Sequence, residues 1–257
     1  MDDPILTKKF ISDIIVERKD DIVGLAVPMG DRLTLRKGKS KYAYIISLLL
    51  IMGPINFFKY SVTTILFQLK KLLYRKNILN DDPSIISIAR FHGINAFRIS
   101  NPNNDKFLTL LEKIKPDVII NQSQSILKSK LLSIPKIGVL NRHNALLPKN
   151  RGRLTPFWVI FKDEKITGVS IHFVEEGIDS GDIVIQKKYK VNKRDTFNSI
   201  VKKNYEIASK AMLEALKIIE SNKYKVIIND DRLATYNSTP TILDAIKYRI
   251  KIIKRYL

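Results

Sequence analysis

The sequence predicts an α/β fold in which a parallel sheet is flanked by helices. Short apolar runs, which are typical of buried parallel strands, recur at residues 22–27, 94–99, 117–121 and 137–141. Helical patterns lie before or between these runs, and this alternation is typical of a parallel sheet with helices on its faces. The chain has 257 residues and is 45% apolar, so it can bury a substantial core.

The helices are predicted from apolar spacing and from residues that begin or end helices. Residues 7–18 carry four apolar side chains spaced for one buried face, namely Phe10, Ile11, Ile14 and Ile15. Further helices are expected at about 83–92, at 106–114 and, as a short element, at 129–133. A basic linker is expected at 32–41.

The second half of the chain has a different pattern. Residues 167–175 and 182–191 are predicted to be extended and to pair, and Asp195 is predicted to cap a helix that continues to about Ile219. Residues 225–228 indicate a final short strand. We therefore predict a main domain at 1–221 and a C-terminal extension at 222–257.

A long apolar insert at about 42–71 stands outside this pattern. Residues 42–58 carry no charge, and Gly53-Pro54 divides the insert into halves that are each too short to span a membrane. We predict two helices packed on the core or on a second subunit of a homodimer. The alternative is a hairpin at a membrane surface, helped by flanking lysines and by the basic tail at 248–256. For the tail itself we favour a solvated terminal helix.

The composition limits the location and the partners of the protein. The chain has no cysteine and no signal-peptide pattern, which favours a reducing, cytoplasmic location. A net charge of +20 favours phosphate-bearing small molecules or the inner face of a membrane over nucleic acid, because no known nucleic-acid-binding motif accompanies it. No metal-ligand cluster or glycine-rich phosphate loop is evident, so we expect no metal.

Two segments carry the candidate chemistry. Residues 141–148 read Asn-Arg-His-Asn-Ala-Leu-Leu-Pro, and residues 177–182 read Gly-Ile-Asp-Ser-Gly-Asp. The amide of Asn141 can donate to a developing oxyanion, and the imidazole of His143 can move a proton near neutral pH. The carboxylate of Asp179 can orient that imidazole. Such a trio suits acyl transfer at the carboxyl end of a parallel strand, where open α/β sheets bind ligands.

These segments resemble the formyltransferase family that uses 10-formyltetrahydrofolate. The family signature is roughly Asn-x-His-x-x-Leu-Leu-Pro, then Arg-Gly, then Gly-Val-(Thr/Ser), then Asp-(Thr/Ser)-Gly, and the similarity runs from about 117 to 184. The resemblance implies a Rossmann-like sheet, 10-formyltetrahydrofolate as co-substrate, and Asn141, His143 and Asp179 as catalytic residues. Asp182 competes with Asp179 by position alone.

The resemblance also implies binding residues. Ile126 and Leu127 match a pterin-lining turn, although many relatives have proline where this chain has Lys128. The backbone around Glu175, Gly177 and Ile178 matches the wall that contacts the pterin edge. Two more matches are Arg151, in a loop beside the acceptor site, and His172, a supporting histidine in some branches; an exposed loop arginine and a core histidine are the alternatives.

One departure from the family concerns the first strand. The family fold opens with a central strand before its first helix, whereas here the helical pattern begins almost directly after Met1. We therefore expect that this strand is missing, through start-site choice or truncation, and that an upstream reading frame would encode a short apolar segment.

The function implied is formyl transfer to a primary amine. Residues 234–240 resemble the segment after the catalytic domain of sugar-nucleotide formyltransferases, so an amino-sugar nucleotide is the first expectation for the acceptor. The alternatives are a formyltetrahydrofolate hydrolase, a glycinamide ribonucleotide or methionyl-tRNA formyltransferase, and an inactive membrane-associated binding protein.

Overall fold

The computed structural model describes residues 6–29, 40–221 and 224–256. In chain order the helices and strands are α1 (Leu6–Arg18), β1 (Leu25–Pro28), α2 (Lys41–Met52), α3 (Pro54–Arg75), α4 (Ile85–Phe91), β2 (Ala96–Ile99), α5 (Asp105–Ile114), β3 (Val118–Asn121), α6 (Ser129–Leu132), β4 (Gly138–His143), β5 (Arg151–Gly152), α7 (Thr155–Phe161), β6 (Ile166–Phe173), β7 (Ile183–Lys190), α8 (Phe197–Glu220), β8 (Tyr236–Asn237) and α9 (Ile242–Tyr256). The predicted basic linker falls almost wholly outside the described residues.

The described chain divides into two compact units. The first lies within Met1–Arg32 and Tyr60–Asn141, and the second lies within Leu33–Lys59 and Arg142–Leu257. This division by packing does not coincide with the predicted sequence boundary between 1–221 and 222–257. Both α3 and β4 continue from one unit into the other.

The first unit has the predicted α/β character. β1 and β2 pair in parallel and, among the described residues, form a sheet of their own. α1 and α4 pack nearby through a small apolar cluster that contains Ile15, Ala89 and Ile94. The hydroxyl of Ser84 caps α4 by accepting from the backbone N–H of Ile86 at 3.3 Å. The predicted helices and strands of this region are confirmed, with shifted ends.

A second parallel pair in this unit leads to the candidate site. β3 and β4 pair in register from Val118 opposite Gly138 to Asn121 opposite Asn141. α5 precedes β3 and is capped by Asn104, whose side chain accepts from the backbone N–H of Lys106 at 2.9 Å. The strands predicted at 117–121 and 137–141 are therefore confirmed, and β4 extends two residues further, to His143.

The second unit contains an antiparallel pair covered by a long helix. β6 and β7 pair along most of their length, as predicted, and α8 packs against both. The predicted cap of α8 is wrong by one residue. Thr196 is the N-cap and forms a capping box with Ser199, while the Asp195 carboxylate accepts from the Ser199 hydroxyl at 2.8 Å and pairs with Lys203 at 2.7 Å.

The predicted final strand at 225–228 is also wrong. Within this described stretch only Ile227 forms a bridge, antiparallel to Ile183, so these residues do not build a ladder. The extension instead contributes β8, which pairs in parallel with β5. None of the described helices is long and apolar enough to cross a membrane.

The apolar insert forms two helices, as predicted, and Gly53 separates them with a φ of 80°. Ile51 of α2 is buried in a core cluster with Phe157 of α7, Phe197 of α8 and Tyr248 of α9. α9 is therefore a packed helix, and our expectation of a solvated tail is wrong. The pattern misled because α9 buries only one face, formed by Ala245, Tyr248 and Ile252, while its exposed sides carry both basic and aliphatic residues.

Candidate active site

Two of the predicted residues lie on β4. Asn141 and His143 are two residues apart on this strand, so their side chains project from the same face. His143 is buried, with 5% of its surface exposed. The strand thus presents an amide and an imidazole side by side.

Asp179 approaches the imidazole from the connection between β6 and β7. Its Oδ2 lies 3.5 Å from His143 Nδ1 and accepts a 2.8 Å hydrogen bond from the backbone N–H of Gly152. The φ of Asp179 is 49°, in the left-handed region that few non-glycine residues occupy. A constrained backbone therefore holds this carboxylate beside a buried imidazole. Asp182, the competing candidate, accepts from the backbone N–H of Asn229 at 3.2 Å instead.

The other nitrogen of His143 contacts a backbone carbonyl. His143 Nε2 lies 2.8 Å from the carbonyl oxygen of Asn150, so this nitrogen carries the proton and donates it. Both ring nitrogens therefore face acceptors, a carbonyl at Nε2 and a carboxylate at Nδ1. The imidazolium is the form of the ring that can donate to both.

His172 is the second imidazole at the same carboxylate. Its Nε2 lies 3.8 Å from Asp179 Oδ1, and the two histidine rings are edge-to-face with their centroids 6.3 Å apart. Burial, together with repulsion from His143, lowers the pKa of His172 to about 4, although Asp179 acts in the opposite direction. His172 is therefore neutral at pH 7, and its ring and that of His143 face the same carboxylate.

The side chain of Arg151 points into the interior of the protein. Its side chain is fully buried, and Nη1 donates to the Asp231 carboxylate at 2.6 Å and to the Tyr236 hydroxyl at 2.9 Å. Nη2 donates to the carbonyl and to the side-chain oxygen of Asn229 at 2.9 Å and 2.8 Å. We expected Arg151 to flank the acceptor. In the structure its guanidinium links β5 to the segment after α8, and its role beside an acceptor stays a prediction.

Asn229 completes this connection and was not predicted. Its Nδ2 donates to the carbonyl oxygens of Asp179 at 2.8 Å and of Gly181 at 2.9 Å. Gly181 has no room for a side chain, because an added Cβ would lie 2.2 Å from the carbonyl oxygen of Phe173. A buried chain of contacts therefore runs from Arg151 through Asn229 to the loop that carries Asp179. A lone asparagine in a polar stretch gives no sequence signal for such a part.

The predicted pterin-contacting residues occupy one turn in each unit. In the first unit Ile126 is 82% exposed, whereas Leu127 is buried. The Asn103 side chain fixes this turn, since it donates to the carbonyl of Ile126 and accepts from the N–H of Lys128, both at 2.8 Å. This turn keeps a defined backbone conformation with Ile126 open to solvent.

In the second unit, the loop before Asp179 is exposed. Glu175, Gly177 and Ile178 are all accessible to solvent, and Ile178 is 62% exposed. A Cβ on Gly177 would lie 2.3 Å from the Ser180 hydroxyl, so glycine suits the tight turn. Within the described residues, no group of three or more His, Asp or Glu side chains is placed to hold a metal ion.

Comparison with known proteins decides the family. A family model described as formyl transferase matches residues 68–216, more than half of the chain. The chain belongs to the formyl transferase family. The matched range contains every site residue predicted from the sequence, and it leaves out Asn229, α2, β8 and α9.

Curated members of the formyl transferase family give the same result. The chain is 32% identical to the methionyl-tRNA formyltransferase of Kosmotoga olearia over 189 residues, which cover 73% of this chain and 60% of that protein. It is 37% identical to the bifunctional polymyxin resistance protein ArnA of Wigglesworthia glossinidia brevipalpis over 146 residues, 56% of this chain and 22% of that protein. The chain thus spans less than two thirds of the length of these relatives.

Solved structures share the fold. Glycinamide ribonucleotide transformylase 1 from Symbiobacterium toebii matches with a TM-score of 0.51 and 16% identity, over 82% of this chain and 95% of that chain. HypX from Aquifex aeolicus in complex with tetrahydrofolic acid matches with a TM-score of 0.51 and 18% identity, over 64% of this chain and 30% of that chain. The Rossmann-like α/β fold expected from the sequence is therefore confirmed.

Proposed function

We propose that this protein transfers a formyl group from 10-formyltetrahydrofolate to a primary amine. The observation that carries the proposal is the pairing of the buried His143 with the partly exposed Asp179, 3.5 Å apart, with Asn141 on the same strand face as His143. Membership of the formyl transferase family supports this chemistry. The co-substrate supplies an activated one-carbon acyl group, and the protein supplies donors and a proton path.

Each of the three side chains has a distinct part in the proposed step. The neutral amine of the acceptor attacks the formyl carbon, and the bond from that carbon to the folate nitrogen breaks. Asn141 donates a hydrogen bond to the oxyanion of the tetrahedral intermediate. The N–H groups of His143 face the Asn150 carbonyl and the Asp179 carboxylate, so the imidazolium stabilises the oxyanion through its charge. Asp179 orients His143 and helps carry the amine proton to the departing nitrogen. No covalent intermediate with the enzyme is required.

The residues present suit a bound folate. Within each unit taken by itself, the exposed turn at Ile126 and the exposed backbone at Glu175, Gly177 and Ile178 are proposed folate contacts. Both turns are shaped by the fold itself, through Asn103 in one case and through tight glycine packing in the other. Backbone groups in such turns can hydrogen-bond the edge of a flat heterocycle without rearrangement.

For the acceptor we propose an amino-sugar nucleotide. The net charge of +20 favours a phosphate-bearing substrate, and residues 234–240 resemble the segment found in sugar-nucleotide formyltransferases. Methionyl-tRNA is the second candidate, because a methionyl-tRNA formyltransferase is 32% identical over 73% of this chain. We propose a cytoplasmic location for either reaction, since the chain has no cysteine.

A panel of acceptors tests this proposal. The purified protein is incubated with 10-formyltetrahydrofolate and, separately, an amino-sugar nucleotide, glycinamide ribonucleotide, methionyl-tRNA or no amine, and the products are analysed by mass spectrometry. We expect the formylated sugar nucleotide and an equal amount of tetrahydrofolate. Release of tetrahydrofolate and formate without any amine would identify a hydrolase instead, and no turnover with any acceptor would contradict the proposal.

A further inference from the structure

α2 and α9 lie side by side in the second unit and are fastened to it. Arg249 of α9 donates to the carbonyl of Leu50 through Nε at 2.9 Å and also through Nη2. Asn198 of α8 donates to the carbonyl of Met52 at 2.8 Å. Ile51 and Tyr248 are buried in the shared core. The outer faces of the two helices are therefore held in fixed positions.

These outer faces are apolar. On α9 the exposed aliphatic residues are spaced by three or four positions and form one stripe, Leu243, Ile246, Ile250 and Ile253, with exposures from 42% to 59%. On α2 the exposed large apolar residues are Tyr42, Ile45 and Ile46, with exposures from 39% to 80%. We call these seven residues the α2–α9 apolar face. A soluble protein seldom leaves such a run of large apolar side chains uncovered without a binding partner.

The charges beside the α2–α9 apolar face are positive. Lys247 and Lys254 are exposed and flank the stripe on α9 at the same helical spacing. Asp244 is the only acidic residue of either helix, and its carboxylate accepts from the backbone N–H and the hydroxyl of Thr241. Residues 41–80 contain no Asp or Glu at all. An occupant that is apolar and carries negative charge therefore complements this face.

We propose that the α2–α9 apolar face binds the surface of an anionic lipid bilayer. Aliphatic side chains on one side of a helix, with lysines at the edge, are the pattern of helices that lie in the interface between lipid headgroups and acyl chains. Each lysine near an anionic leaflet adds to the binding energy. A second copy of the chain fits less well, because a twofold contact buries the same positively charged surface on both copies, with only Asp244 on each copy's α9 to offset the charge.

The α2–α9 apolar face shares no residue with the candidate active site. α2 and α9 lie outside the range matched by the family model, and none of the seven residues belongs to the candidate active site. The proposal does not depend on formyl transfer, and each can fail without the other. If both hold, formylation takes place beside a membrane.

Sedimentation with lipid vesicles tests the proposal. We expect the full chain to bind vesicles of equal parts phosphatidylcholine and phosphatidylglycerol and to bind pure phosphatidylcholine much less. Rising salt should release the protein from the anionic vesicles, because salt screens the attraction between the lysines and the anionic lipids. Lys247→Ala with Lys254→Ala should weaken binding on the order of thirtyfold. Ile246→Ser with Ile250→Ser should weaken it at least as much, although the net charge is unchanged.

A matched control distinguishes the effect of the lysines beside the α2–α9 apolar face from the effect of the protein's total charge. Lys210→Ala with Lys217→Ala removes two exposed lysines from α8, and we expect wild-type binding from this variant. Thermal melts check that all variants fold, and turnover of a water-soluble acceptor should be unchanged in each. Equal losses in the α8 and α9 lysine variants, or no binding to anionic vesicles, would overturn the proposal. Absence of vesicle binding with dimerisation that Ile246→Ser and Ile250→Ser abolish would identify a second copy as the occupant.

Discussion

The low pKa of His172 makes the stability of the fold depend on pH. Burial holds the pKa of His172 at about 4, with repulsion from His143 as the second cause, against a usual value of 6.5. In the unfolded chain this imidazole binds a proton below about pH 6.5, whereas in the folded chain it stays neutral until about pH 4. Between about pH 4 and pH 6.5 the unfolded state binds more protons than the folded state, so lowering the pH in this range favours unfolding.

The size of the effect can be calculated from the shift of the pKa. A difference between 6.5 and about 4 corresponds to about 3 kcal/mol of unfolding free energy lost between pH 7 and pH 4. About 2 kcal/mol of this loss is expected by pH 5. Above about pH 7.5 the residue is almost wholly neutral in both states and contributes little pH dependence.

Urea unfolding of the wild type and of His172→Gln measures this contribution. At pH 7, the difference in unfolding free energy between the two proteins gives the cost of replacing a neutral buried ring. The change in this difference between pH 7 and pH 5 isolates the titration of His172. We expect the wild type to lose about 2 kcal/mol more than the variant over this range. Equal losses in the two proteins would refute the description of His172 as a neutral buried imidazole.

The remaining predictions concern the candidate active site. Asn141→Ala and His143→Ala should each lower formyl transfer on the order of a hundredfold or more in steady-state assays while leaving the melting temperature close to that of the wild type. Near-normal turnover in either variant would remove that residue from the proposed mechanism. Asp179→Asn should cause a comparable loss and alter the pH profile of the rate, because His143 loses its anionic partner; an unchanged profile at full rate would contradict the assignment. Asn229→Ala should cost about 1–3 kcal/mol in urea unfolding and reduce the rate through displacement of the Asp179 loop, whereas normal stability would show that this contact is dispensable.

The sequence predicted elements whose signal is local. β3 and β4 are short apolar runs between polar residues, and the break between α2 and α3 comes from Gly53-Pro54, which no helix interior accommodates easily. The helix α7 was missed because Thr155–Phe161 is apolar on nearly all sides and so lacks helical periodicity. The cap of α8 was misplaced because Asp195 and Thr196 are adjacent and both suit a cap.

Long-range contacts were beyond prediction. The carbonyl of Asn150 binds His143 through a backbone atom, which no side-chain pattern can indicate. Arg151 looked like a loop residue because its partners, Asn229 and Asp231, lie about eighty positions later in the chain. Motif spacing could identify His143 and Asp179 as candidates, but only the folded chain brings His172 to the same carboxylate.

Transfer of an isotopically labelled formyl group tests the central claim most directly. The full chain is mixed with 10-formyltetrahydrofolate labelled in the formyl carbon and with an amino-sugar nucleotide, in parallel with the His143→Ala variant. We predict that the label moves to the amine of the acceptor with the wild type and remains on the folate with the variant. Label that stays on the folate with the wild type, for this acceptor and for every other amine tested, would contradict formyl transfer by this protein.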